Sequence, residues 1–134
     1  MESPSPAVRK HCVERGFSPN VSNGGFAYLL RSWKQTVDEI EDGYYALFDE
    51  YVNDMDGRRI ISDLLPLACM KEKAEVEEVL PPLDLRFFNA THPVDACILG
   101  EDIAAKRSYR QDLDWWYYRT PIDLSKVPDR DRWL

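Results

Sequence analysis

Apolar residues in the first half of the chain return every three or four positions, and that spacing restricts the fold more than any other feature. Phe26, Leu29, Leu30, Trp33, Val37 and Ile40 share one side of a helix, with Arg31, Lys34, Gln35, Asp38 and Glu39 opposite. Gly43 is the expected break. A second set follows at once, Tyr44, Leu47, Phe48, Tyr51, Val52 and Met55, again at helical spacing. Asp56-Gly57 reads as its end, and Arg58 to Leu65 as a third, shorter helix closed by Pro66, which biases the residue before it away from helix. Lys71 to Thr91 is helical once more, with Val76, Val79, Leu80, Leu83 and Phe87 in register. Pro81-Pro82 inside this stretch predicts a kink or a restart.

The flanks are less regular. Pro4, Pro6 and Pro19 interrupt residues 1–25, and Asn23-Gly24-Gly25 marks a turn. A short helix from Ala7 to Arg15 fits there, with Gly16 as its C-cap, in an arm expected to be loosely ordered. After His92-Pro93, the apolar run Val94 to Leu99 has the makings of a strand but no evident partner. Leu113 to Tyr118 is aromatic and has strand propensity. Residues 122–134 read as an extended tail anchored by Trp133. The expectation is one all-α domain over residues 1–134: a compact helical bundle with its core in residues 26–121, an aromatic-rich C-terminal segment and the tail.

Several function classes are disfavoured by composition. Across 134 residues, 17 lysines and arginines face 24 aspartates and glutamates, a net charge of -7, whereas a protein that holds a phosphate backbone needs a basic face. No stretch approaches the ~18 apolar residues of a membrane span. The first residues lack the basic start and apolar run of a secretory signal, which points to the cytoplasm, and the widely spaced Cys12, Cys69 and Cys97 point to reduced thiols. His11 and His92 are far apart, and no metal-binding spacing joins them to cysteines. Asn53 to Gly57 hints at a calcium loop, but its first ligand position would be Val52 and its twelfth Asp63. Neither a nucleophile elbow nor a phosphate-binding glycine loop is present, and Cys69, between Ala68 and Met70, reads as a buried thiol. The expectation is a protein without catalytic residues, metal or cofactor, and not an enzyme.

What stands out is charge of one sign. Asp38, Glu39, Glu41, Asp42, Asp49, Glu50, Asp54 and Asp56 are eight carboxylates in a stretch with no lysine or arginine between Gln35 and Gly57. A helix surface selected for stability pairs glutamate with lysine four residues on; a surface of one sign repels itself slightly and suits a positive partner. Asp38, Glu39, Glu41, Asp42, Asp49 and Glu50 are therefore candidate contacts for a basic protein. In Trp115-Trp116-Tyr117-Tyr118 an extended chain would send alternate rings to opposite sides, leaving Trp116, with Arg119, as a candidate interface anchor.

The order Trp33, Val37, Ile40, Gly43-Tyr44, Glu50-Tyr51, Asn53-Asp54, Met55 and Arg58 resembles a pattern in small bacterial proteins. Leu80-x-x-Leu83-Asp84-x-Arg86-Phe87-x-x-Ala90-Thr91 and Trp115-Trp116-Tyr117-Tyr118-Arg119-x-Pro121 extend it over about residues 26–121. The chain looks like the immunity proteins of polymorphic toxins, in particular those of contact-dependent growth inhibition systems. The resemblance implies a helical cytoplasmic protein that binds one cognate toxin C-terminal domain, often a basic nuclease, and blocks it stoichiometrically. It carries over no catalytic residue, and Pro81-Pro82 departs from the pattern. Two other readings stand beside it: an acidic adaptor that recruits a basic partner, and a small-molecule binder whose mark would be a pocket of convergent Tyr, Asp and Arg side chains.

Overall fold

The computed structural model describes residues 4–133. The fold is mostly helical: α1 (Pro6–Glu14), α2 (Pro19–Glu41), α3 (Phe48–Leu64), α4 (Met70–Ala90) and α5 (Glu101–Arg107), with single 3-10 turns at Leu65–Leu67, Trp115–Tyr118 and Arg130–Trp133. The all-α expectation needs one amendment. Strand β1 (Thr91–Pro93) pairs antiparallel with β2 (Arg119–Pro121), Thr91 opposite Pro121 and Pro93 opposite Arg119. The strand lies just ahead of the run Val94 to Leu99, and its partner follows the aromatic segment. No helix among the described residues is long and apolar enough to cross a membrane.

Helix α2 is the spine of the molecule, packing on α1, α3 and α4. Its apolar stripe is buried as the spacing predicts, and Trp33 meets Phe87 of α4 with ring centroids 5.0 Å apart. Gly25 breaks the helical path at φ 56 and ψ -142, so the expected turn at Asn23-Gly24-Gly25 takes the form of a sharp kink. Only glycine is at ease there, and an added Cβ would stand 2.7 Å from Pro4 Cβ. The arm packs against the bundle from Pro4 onward. Val8 and Cys12 are fully buried, and the Ser5 amide and hydroxyl both donate to Glu72 at the start of α4. The part of the arm in residues 1–3 lies outside the described residues.

Three expectations about elements are corrected. Helix α3 runs through Asp56-Gly57 as one piece, because Tyr51, Met55, Arg58 and Ile61 form a continuous buried stripe across it. Helix α4 continues through Pro81-Pro82. Both prolines are exposed, as are Glu77 and Glu78, so the carbonyls left without an amide partner face water. Trp115–Tyr118 is a 3-10 turn, and Trp116, Tyr117 and Tyr118 all point inward where strand alternation would have split them.

The tail supports the bundle from outside its own sequence neighbourhood. Trp133 is buried against Tyr44, Phe48 and Tyr51 at centroid distances of 5.9, 5.2 and 5.0 Å. Asp129 accepts from the Trp133 indole and from the Phe48 amide, capping the N-terminus of α3, which has no side-chain cap of its own. Lys126 donates to the Asp42 carbonyl at the C-terminus of α2. The three cysteines are free; Cys12 and Cys97 are buried, whereas Cys69 is exposed and not the buried thiol its neighbours suggested.

Candidate functional site

Six of the eight carboxylates of the acidic segment fall into two groups when folded. Its outer carboxylates are satisfied by the chain itself. Arg86 of α4 reaches across to Asp38 at 2.5 Å and Glu41 at 2.6 Å, and Lys34 holds Asp38 from one turn back at 2.8 Å. Hydrogen bonds from Lys34 and then Arg86 hold the Asp38 carboxyl below its usual range, and Arg86 does the same for Glu41. Asp49 pairs with Arg132 of the tail at 3.1 Å. Glu39, Asp42 and Glu50 make no ion pair among the described residues. The uninterrupted negative face expected from the sequence is thus cut back, because bases distant in sequence fold onto it.

The second group lines a cleft. Ser32, Gln35, Thr36 and Glu39 come from α2, Glu50, Asn53 and Asp54 from α3, and Tyr44 from the junction between them, around a space of about 350 Å³. On each helix these positions recur at three and four, so each helix gives the cleft one polar stripe. Asp54 sits deepest. Burial, reinforced by Glu39 and Glu50, pushes its carboxyl up to about 6, while the Tyr44 hydroxyl donates to Oδ2 at 2.7 Å and opposes the rise. Burial and the Asp54 charge drive the Tyr44 phenol strongly upward, so it stays a donor. A concave, partly desolvated site with three carboxyl groups and the carbonyl oxygens of Gln35 and Asn53 is suited to accept an ammonium or guanidinium group.

Trp116 is not at the surface. It is 2 % exposed, and the Arg58 guanidinium lies 4.4 Å over its ring. Arg58 in turn makes a two-pronged pair with Asp84 at 3.0 and 2.8 Å and donates to Ser62, and Asp84 accepts from the Trp33 indole at 3.0 Å. Trp33, Arg58, Asp84 and Trp116, spread along the motifs of the sequence, thus form one buried polar knot joining α2, α3, α4 and the aromatic turn. The ring that stays half-exposed is Trp115, against Phe87 and Phe88. Arg119 is also committed: it lies 4.0 Å over Phe88 and donates to Thr91 Oγ1, the Thr91 carbonyl and the Phe88 carbonyl. Both act in holding the fold and not as free anchors.

Of the eight candidate residues, the cleft gathers Glu39 and Glu50. It adds Ser32, Gln35, Thr36, Asn53 and Asp54, polar residues at helical spacing whose convergence the sequence did not show, and Tyr44, which the spacing had placed in an apolar stripe. No protein-family model, curated protein or solved structure matches the chain.

Proposed function

We propose that this protein is an immunity-type inhibitor that binds a cognate toxin domain one to one and blocks it, the toxin being a basic nuclease. The observation that supports this reading is the cleft between α2 and α3, where Glu39 and Glu50 have no basic partner among the described residues and stand beside a half-buried Asp54. A nuclease presents lysines and arginines where it holds phosphate, and one such side chain inserted between these carboxyl groups would make short, charge-assisted hydrogen bonds. Exposed Asp42 at the end of α2 extends the same negative field and favours encounter over tight contact. In this arrangement Asp38, Glu41 and Asp49 contribute little to binding, since their charges are already answered within the chain.

The test is co-expression with the product of the adjacent toxin gene, scored by growth rescue and by the affinity of the purified pair. Glu39→Lys with Glu50→Lys is expected to abolish rescue and to weaken binding by about 3 kcal/mol or more. Asp38→Asn with Glu41→Gln, which neutralises two carboxylates on the neighbouring surface, is expected to leave rescue intact. The wild-type on-rate should fall as ionic strength rises. Equal loss from both pairs of substitutions would move the interface off the cleft, and absence of any complex would remove the inhibitor reading itself.

A further inference from the structure

The acidic cleft does not end at Asp54. A second space, of about 270 Å³, lies further along the same two helices, and Ser32, Thr36, Asn53 and Asp54 line both. The lining changes character between them. Gln35, Glu39, Tyr44 and Glu50 border the first space alone. Buried Val21, Leu29 and Trp33 and half-exposed Tyr28 and Ile60 border the second. Asp56 and Arg58 reach it too, but each is engaged within the chain, Asp56 by the Tyr117 hydroxyl and Arg58 by Asp84. The two spaces form one groove, charged at one end and apolar at the other.

Gly57 stands in the middle of the apolar end. Asn53, Asp54 and Ile60 of the same lining lie three or four residues from it, so they share its side of α3. Its backbone is helical, and an added Cβ would meet nothing within 4 Å. Conformation and packing in the free chain therefore admit any good helix former here, and glycine destabilises a helix interior relative to such residues. What the missing side chain does is leave the space open above apolar walls, a surface that water solvates poorly. The charges without a basic partner, Glu39 and Glu50, lie at the other end, so a partner that complements the whole groove is cationic at one point only. From Glu50 to Gly57 the rise along α3 is about 10 Å.

We propose that the toxin segment entering this groove presents a cationic side chain to Glu39, Asp54 and Glu50 and, about 10 Å along, a large apolar side chain that seats over Gly57. That separation corresponds to about three residues of extended chain or about two turns of helix. The inference rests on the docking reading above and adds the second half of what the groove recognises.

The test uses the purified complex with the product of the adjacent toxin gene, and the free protein. Gly57→Leu fills the apolar space, and is expected to weaken the toxin at least about thirtyfold while its urea midpoint stays no lower than that of wild type. Gly57→Ala adds one methyl group and should weaken the toxin less than about threefold. In the free protein, phenylbutylguanidine is expected to bind at least about fivefold more tightly than butylguanidine and to shift the Gly57 amide resonance, an advantage that Gly57→Leu should remove. The proposal is overturned if folded Gly57→Leu binds the toxin as wild type does, or if the phenyl group adds no affinity. Loss of binding with Glu39→Lys and Glu50→Lys but none with Gly57→Leu would keep the docking reading and remove this inference alone. Absence of any complex with wild type would remove both.

Discussion

Asp54 shows how a residue's role depends on what folds around it. In the sequence it is one of eight carboxylates; in the fold it is half-buried against Tyr44, and partial desolvation lifts it to about 6 from an ordinary value of 3.8. A carboxyl whose folded pKa lies above its unfolded value holds its proton more tightly in the folded chain. Its contribution to stability is therefore fully present below about pH 4 and is lost as pH rises through 6. Urea denaturation of wild type and Asp54→Asn across pH 4 to 7 measures this directly. The difference between them is expected to shift by about 2 kcal/mol in favour of the variant toward neutral pH, because the amide stays neutral and can still accept from Tyr44. Parallel profiles would mean that Asp54 is not desolvated. No sequence pattern announces such a residue, because burial of a carboxylate depends on Glu39 and Tyr44 reaching it from α2 and the junction. Trp116 and Arg119 teach the same lesson in reverse: an aromatic and an arginine near the C-terminus suit an interface by composition, yet the partners they meet are Arg58, Phe88 and Thr91 of their own chain.

At the level of elements, the helices were legible and their ends less so. The stripes of α2 and α4 appear in the sequence because burial on one side imposes a helical period. The break expected at Asp56-Gly57 does not occur, since one glycine costs a helix interior only about 1 kcal/mol and the buried stripe of α3 outweighs it. Strand propensity in Leu113 to Tyr118 lost to the burial of three consecutive rings, which a 3-10 turn allows and a strand does not. The end of α4 was legible to within a residue, but part of what holds it was not: the Thr91 hydroxyl serves the Phe87 carbonyl locally, whereas Arg119, distant in sequence, serves those of Phe88 and Thr91. Arg119→Ala is expected to cost about 2 kcal/mol and to raise amide exchange in the last turn of α4. Arg119→Lys should recover less than half of that, since a single ammonium cannot span Thr91 and Phe88 while covering a ring. Full recovery by lysine would reduce the role to charge alone.

Across the whole molecule, the tail decides how firmly the α2–α3 junction is set. Trp133, Asp129 and Lys126 close on Phe48, Tyr44 and the end of α2, the same junction that supplies Tyr44 to the acidic cleft. Trp133→Ala should cost about 3 kcal/mol in equilibrium unfolding, as for other buried tryptophans. If the tail is integral to the bundle, unfolding followed by fluorescence and by circular dichroism should remain one coincident transition, whereas an early separate step would mark the tail as an appendage. Trp133 was recognisable as an anchor from its place in a polar tail; the surface it anchors to was not, because that surface exists only once α2 and α3 have packed.

The bridge from Arg86 to Asp38 and Glu41 has a bearing on how fast the protein could meet a cationic molecule. One guanidinium masks two carboxylates on the outside of the bundle, away from the concave site. Exchanging that arginine for a neutral side chain would uncover both at a stroke and strengthen the field the molecule casts into solution, while every group inside the cleft stayed where it is. On the proposed reading, the speed of encounter and the strength of the grip would rest on different residues of α2, and selection could adjust either one alone.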